Sequence, residues 1–190
     1  MAATDIIDLA AAKEQLNIDP DNTDSDAELA LYVSAATEVV ERYVGAVIQR
    51  PVTERFDGGR SALLLSALPV ASVTSVTVGG SVLDAAGVAV SESGVLTRVS
   101  GSARMNFSSG TQTVEVVYVA GRAASVAEVP ARYQLAARII VQHMWETQRP
   151  AAQGPFSQAS DDYDPRYAYS VPRRAQELLG VEIGEWAGFA

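Results

Sequence analysis

Residues 25–47, SDAELALYVSAATEVVERYVGAV, place apolar side chains at intervals of three and four: Leu29, Val33, Ala36, Val40, Tyr43 or Val44, and Val47. That spacing predicts one long amphipathic helix from Ser25 to Val47 with a continuous buried stripe. Ser25 and Glu28 make an S-x-x-E capping box at its start, in which hydroxyl and carboxylate each satisfy an orphan backbone donor. Ser34, Thr37, Glu38, Glu41 and Arg42 fall on the polar side, while Tyr32, Ala35 and Val39 widen the apolar face. Gly45 and then Pro51 bracket the end. A stripe this long needs a broad surface to lie against, and the remaining chain has to supply it.

The chain has 190 residues, 48% of them hydrophobic and 19% charged, which fits one domain with its own core and room for a small insert. It contains no cysteine, so disulfides and thiol chemistry are excluded. A net charge of −9 argues against a protein that grips nucleic acid through its phosphates, which takes clustered Lys and Arg. An acidic protein can still surround DNA without holding it. No apolar run reaches the length of a membrane-spanning helix, so no membrane partner is expected. Asp5 and Asp8 stand where a secretory signal would be basic, which predicts a cytoplasmic product. Outside secretion, the sequon Asn106-Phe107-Ser108 is a chance match.

Along the chain, Asp8 caps a short helix with Leu9, Ala12 and Leu16 on one side. The following loop, residues 19–26, starts like a calcium site with Asp19 and Asp21. Asp24 then occupies the glycine position and Ala30 the position of the bidentate glutamate, so the loop reads as a turn before a helix. After the long helix the period changes to alternation. Strands are predicted at 51–56, 62–66, 72–78, 95–100, 103–107 and 113–119, with tight connections at Asp57-Gly58-Gly59, Gly79-Gly80 and Ser108-Ser109-Gly110. They form five to seven antiparallel strands in a small sheet or sandwich.

Val129-Pro130 opens the second long helix. Leu135, Ile139 and Met144 on one flank, with Ala137, Val141 and Trp145 on the other, predict a helix clasped between partners. Residues 150–170 mix Pro, Gly, Ser, Asp and the aromatics Phe156, Tyr163, Tyr167 and Tyr169 without any period, which reads as an extended arm. Val171-Pro172 opens a short terminal helix, and Trp186 and Phe189 follow. The expected fold is therefore α+β, a helical core with an inserted antiparallel β-region. It divides into 1–50, a β-insert at 51–121, a core helix at 122–149 and an arm at 150–190.

Residues able to carry chemistry are few. His143 is the lone histidine, and nothing fixes a serine beside it as in a nucleophile elbow. Asp161, Asp162 and Asp164 read as a solvated acidic loop, and Glu38 with Glu41 as a solvated helix face. Arg132, Arg138, Arg149, Arg173 and Arg174 are too sparse for a duplex-binding face but suit charge-assisted contacts across a subunit boundary. No catalytic set, cofactor or metal site is expected.

The order of elements is itself distinctive. Leu9, Lys13 and Leu16 in the first helix precede E-R-Y-V-G at Glu41–Gly45, R-P-V at Arg50–Val52 and L-P-V-x-S-V-T-S-V at Leu68–Val76. V-x-V-V-Y-V-A-G at Val114–Gly121, H-x-W-E at His143–Glu146 and V-P-R-R-A-x-x-L-L at Val171–Leu179 complete the series. This ordered set resembles the head–tail connector (adaptor, or head-completion) family of long-tailed double-stranded DNA phages, over residues 5–149 and 171–179. The stretch 150–170 is longer than in that family, and 181–190 is an addition to it.

The resemblance implies a structural virion protein at the head–tail junction. It implies a closed ring, typically of twelve copies, beneath the portal, which joins the filled head to the tail and extends the DNA channel. The expected partners are other copies of the chain, the portal protein, and a downstream connector, stopper or tail terminator, with DNA passing through unbound. Portal docking falls by resemblance to the arm and terminal helix: Phe156, Tyr163, Tyr167, Tyr169, Arg173, Arg174, Leu178 and Leu179. The β-insert is left for outward or tailward contacts. The alternative reading is another neck or tail-completion protein of the stopper kind.

Overall fold

A computed structural model describes residues 4–91, 93–148 and 171–180. Among these are four α-helices and eight β-strands, an α+β architecture as the sequence predicts. The chain forms two compact units, one from residues 1–44 and 126–190 and the other from residues 45–125.

The first unit is helical. Helix α1 (Leu9–Leu16) starts where the Asp8 carboxylate accepts the Ala11 N–H at 2.7 Å, and it closes on Asn17 at φ 55°. Helix α2 (Asp26–Val44) buries Leu29, Val33, Ala36 and Val40 completely, the stripe predicted from their spacing. It stops at Val44, short of the expected Val47. Gly45 takes φ +78°, and a Cβ there would run into the Leu68 carbonyl oxygen, so the backbone leaves the helical path. Val47 consequently belongs to the second unit instead of the stripe. Thr37, expected on the polar side, is buried, because its hydroxyl accepts the Ile6 N–H at 3.2 Å. The segment holding Ile6 and Ile7, both buried, covers that part of α2, and the threonine satisfies a backbone donor that water cannot reach.

Helix α3 (Ala131–Gln148) packs against α1, α2 and α4 (Arg173–Leu178). Its buried face is Tyr133, Ala136, Ala137, Ile140 and Val141. The predicted flank of Leu135, Ile139 and Met144 is not in the core: Leu135 is 40% exposed and the other two are half-buried. The helix is thus enclosed along one face, and its Leu135 side remains open. Between the helices, Gln15 meets Gln142 at 2.7 Å, Arg138 meets Glu14 at 2.9 Å, and the Tyr32 and Trp145 rings lie edge to face at 6.5 Å.

The second unit is all β apart from a single 3₁₀ turn at Ala85–Gly87. Its strands are β1 (Arg50–Phe56), β2 (Ala62–Leu64), β3 (Val70–Val78), β4 (Ser81–Val82), β5 (Val88–Val90), β6 (Val95–Ser100), β7 (Ala103–Arg104) and β8 (Val114–Ala120). One antiparallel sheet runs β1-β8-β3-β4; the other runs β2-β6-β5, with β7 also paired to β6. Strand β1 runs in register along β8 from Arg50↔Ala120 to Phe56↔Val114. β3 follows the other edge of β8 with register shifts at Val70/Ser72 and Val73/Ser75. The predicted count of five to seven becomes eight because β4 and β5 are too short to show a period. The strand expected at 103–107 shrinks to two residues, and Phe107 beyond it is buried in the core.

A single apolar cluster takes Leu63, Leu65 and Leu96 from the second sheet and its flanks, and Val76, Val114, Val116 and Tyr118 from the first. The sheets therefore share one core, as in a sandwich. The two chain ends of this unit lie side by side. Ile48 bridges Ala123 in parallel, Gln49 N–H donates to the Ala123 carbonyl at 2.9 Å, and Ala123 N–H donates to the Val47 carbonyl at 2.9 Å. Among the described residues no helix is long and apolar enough to cross a membrane.

Candidate functional site

A polar cluster in the β unit surrounds Glu54 on β1. The Tyr118 hydroxyl, on neighbouring β8, donates to the Glu54 carboxylate at 2.6 Å. Ser66 adds its hydroxyl and its N–H to the same carboxylate, and Ala67 N–H donates to the Tyr118 oxygen at 3.0 Å. Burial alone would raise the Glu54 carboxyl's affinity for protons, but hydrogen bonds from Ser66, Tyr118 and the backbone outweigh it and hold the pKa below its ordinary value. Burial and then the hydrogen bond to Glu54 push the Tyr118 phenol up. A carboxylate surrounded by donors and held ionised is a poor general base, which needs a free lone pair and a pKa near working pH. The cluster is a clamp: it ties the turn after β2 to strands β1 and β8.

The other candidates for chemistry stand apart. His143 is half-buried on α3, where its carbonyl accepts the Thr147 hydroxyl at 2.7 Å. Glu38 is exposed and Glu41 half-buried on α2. In the acidic loop, Asp19 accepts the Asp21 N–H at 2.9 Å and Asn22 accepts the Asp24 N–H at 3.0 Å, so these side chains serve their own turn. Among the described residues no three His, Cys, Asp or Glu side chains gather where a metal ion would sit. Asp161, Asp162, Asp164 and Arg149 lie outside the described residues.

One feature of that loop escapes sequence reading. Lys13 is buried, with its Nζ 2.7 Å from Asp26 Oδ1 and donating to the Pro20 carbonyl at 3.0 Å. The lysine therefore ties Pro20 within the loop and Asp26 at the start of α2 to helix α1. Its position on the inner side of α1, next to Ala12, is the only sequence signal for this role.

The docking residues suggested by the resemblance divide into two groups. Phe156, Tyr163, Tyr167 and Tyr169 lie outside the described residues. The rest are on or next to α4. Val171, Ala175 and Leu179 are buried and form its inner face, while Arg173 and Arg174 are exposed and Leu178 is half-buried. Arg173, Arg174, Glu177 and Leu178 border a shallow surface hollow. The two guanidinium groups thus face outward from a helix held by its apolar side, an arrangement suited to meeting a carboxylate-bearing surface.

Solved structures resemble this fold. A chain from the neck of an empty gene transfer agent particle, computed with C6 symmetry, aligns with a TM-score of 0.67 and 21% identity over 95% of this chain and 91% of its own. A chain from the neck of the native particle, computed with C12 symmetry, aligns with a TM-score of 0.63 and 18% identity over the same shares. A third, from the virion of the native gene transfer agent particle, gives 0.55 and 22% over 82% of this chain and 87% of its own. No curated protein sequence matches the chain significantly. The sequence profile of head completion proteins matches residues 5–180, which takes in both units and α4. The chain belongs to the head completion protein family and is a structural virion component, not an enzyme.

Proposed function

We propose that this chain is one subunit of a ring, of twelve copies, that sits beneath the portal at the head–tail junction and prolongs the DNA channel. The observation that carries this reading is the family match across 5–180, joined to a fold shared with neck proteins of a phage-like particle. A ring needs two different complementary surfaces on each copy. Exposed apolar side chains on both long helices, Leu31 and Tyr43 on α2 and Leu135 on α3, are material for such surfaces. The net charge of −9 repels phosphates and lets DNA slide through without being held.

In this reading the stretch from Phe156 to Leu179 meets the portal through Phe156, Tyr163, Tyr167, Tyr169, Arg173, Arg174 and Leu178, while the buried Leu179 holds α4 in place. The β unit faces the next connector or the tail. The test is completion of DNA-filled heads with purified chain, followed by imaging of the junction. Density for a closed ring under the portal is the expected result. Replacing Phe156, Tyr163, Tyr167, Tyr169, Arg173 and Arg174 together with serine, which leaves the buried face of α4 intact, is expected to abolish attachment, and a chain so changed that still completed heads would overturn the assignment of the arm.

A further inference from the structure

Strand β1 leaves the Ile48–Ala123 bridge at Arg50 and ends at Phe56, while β8 returns from Val114 to Ala120. The turns beyond Phe56 and before Val114 therefore form the opposite end of the β unit, roughly 20 Å away along the strands. Three arginines gather there. Phe107 N–H donates to the Arg60 carbonyl at 2.8 Å, and Met105 N–H donates to the Arg98 carbonyl at 3.0 Å. The Arg98 guanidinium donates to the Asn106 carbonyl at 2.7 Å and stands 6.0 Å from the centre of the buried Phe107 ring, which holds it in place. Arg104 adjoins Met105, and Arg60, Arg104 and Met105 are all exposed, the methionine by 44%.

No described carboxylate of the unit neutralises these charges. Glu54 is held by Tyr118 and Ser66, and Asp57 accepts the Gln112 N–H at 2.7 Å. Asp84 accepts the Ala86 N–H at 3.0 Å, and Glu115 pairs with Arg55 at 2.7 Å. None makes an ion pair with Arg60, Arg98 or Arg104. Residues 45–125 hold six arginines against five acids, a net charge of +1. The rest of the chain, with eight basic and eighteen acidic residues, carries −10. A carboxylate-bearing surface is thus repelled by most of the chain and admitted at this end of the β unit.

We propose that Arg60, Arg98 and Arg104, with Met105 beside them, dock a carboxylate-bearing surface of the next protein tailward in the neck. The inference rests on the ring reading and, within it, on a β unit that faces the tail. Arginine meets a carboxylate through two parallel N–H···O bonds, a geometry that gives register as well as attraction. Two features favour a protein over the phosphates of DNA. Met105 adds an exposed apolar side chain to the patch, and arginine with methionine is the enrichment found at protein interfaces. The β unit also contains no lysine, the residue that accompanies arginine on surfaces that neutralise phosphates.

The test uses heads completed with the full-length chain. Arg60→Glu with Arg104→Glu reverses two exposed charges and leaves Arg98 on Phe107. The expected result is a ring at the junction, as with the parent chain, and loss of tail joining. Raising the salt during joining is expected to bring the parent towards the variant. Independently, Met105→Cys gives the chain its sole cysteine, which is labelled with a photoreactive maleimide before assembly. Illumination of finished particles is expected to join the chain to one other virion protein, with no such adduct in tailless heads. Normal tail joining by the glutamate variant overturns the docking, as does a tailed particle that yields no adduct. Adducts between two copies, or with DNA, overturn it in favour of a ring contact or of phosphate binding. A glutamate variant that stays out of the junction while the parent enters overturns the tailward partner alone. A parent chain that never enters removes the ring reading itself.

Discussion

Tyr118 donates its phenolic hydrogen to Glu54 across 2.6 Å, between adjacent strands β8 and β1 and diagonal to the paired register Val52↔Tyr118. The same oxygen receives the Ala67 N–H, so one hydroxyl holds both a strand and a turn. Tyr118→Phe leaves that N–H and part of the carboxylate without partners and is expected to cost about 1–2 kcal/mol, read as a lower urea midpoint with unchanged slope.

The same cluster sets a pH dependence. Because Glu54 has a lowered folded-state pKa, its contribution is complete above the ordinary value of 4.5 and fades as pH falls through the folded value. Tyr118, raised in the folded state, contributes fully below its ordinary 10.0 and loses that contribution as pH climbs through its folded value. Urea titrations of Glu54→Gln across acidic pH are expected to show a shallower acid decline than the parent chain.

Lys13 offers a second test, in the helical unit. Lys13→Met keeps the apolar stem but leaves Asp26 and the Pro20 carbonyl without their cation. Since the Asp26 side chain keeps 29% of its exposure, water recovers part of the loss, and the expected cost is about 1–3 kcal/mol by thermal unfolding.

The two sides of α3 are expected to respond very differently. Ile140 is fully buried, and Ile140→Ala should cost about 2–5 kcal/mol in transfer and cavity energy. Leu135→Ala, on the open side, should stay within about 0.5 kcal/mol in the isolated chain. Equal losses at both positions would show that the Leu135 flank is enclosed after all.

Gly45→Ala meets two obstacles at once, a φ of +78° and a Cβ directed at the Leu68 carbonyl oxygen. Backbone strain of this kind costs about 1–3 kcal/mol, and differential scanning calorimetry is expected to register it as a lower Tm.

Much of the architecture was legible because its signals are local. The three-and-four spacing from Leu29 to Val40 marked α2, the Asp8 carboxylate marked the start of α1, and the alternation in β8 marked a central strand. What escaped depended on distant partners. Thr37 is polar by type and inside because Ile6 needs an acceptor there. Lys13 is charged by type and buried because Asp26 and Pro20 surround its amine. On α3, apolar type alone could not separate Leu135 from Ile140, since only the packing of α1, α2 and α4 decides which side is enclosed. Strands β4 and β5 hold two and three residues and owe their existence to the neighbours they pair with. The Glu54 clamp was hidden for the same reason, as Glu54 and Tyr118 are separated by 64 positions.

The parallel bridge of Ile48 to Ala123 turns the β unit into a cassette whose two attachment points sit together. A module mounted on one stem can lengthen its outer turns, or be traded for a different one, while the spacing demanded of the flanking helices is unaltered. Divergence among relatives should accordingly accumulate within the cassette's turns, and the stem itself should tolerate the least change in length.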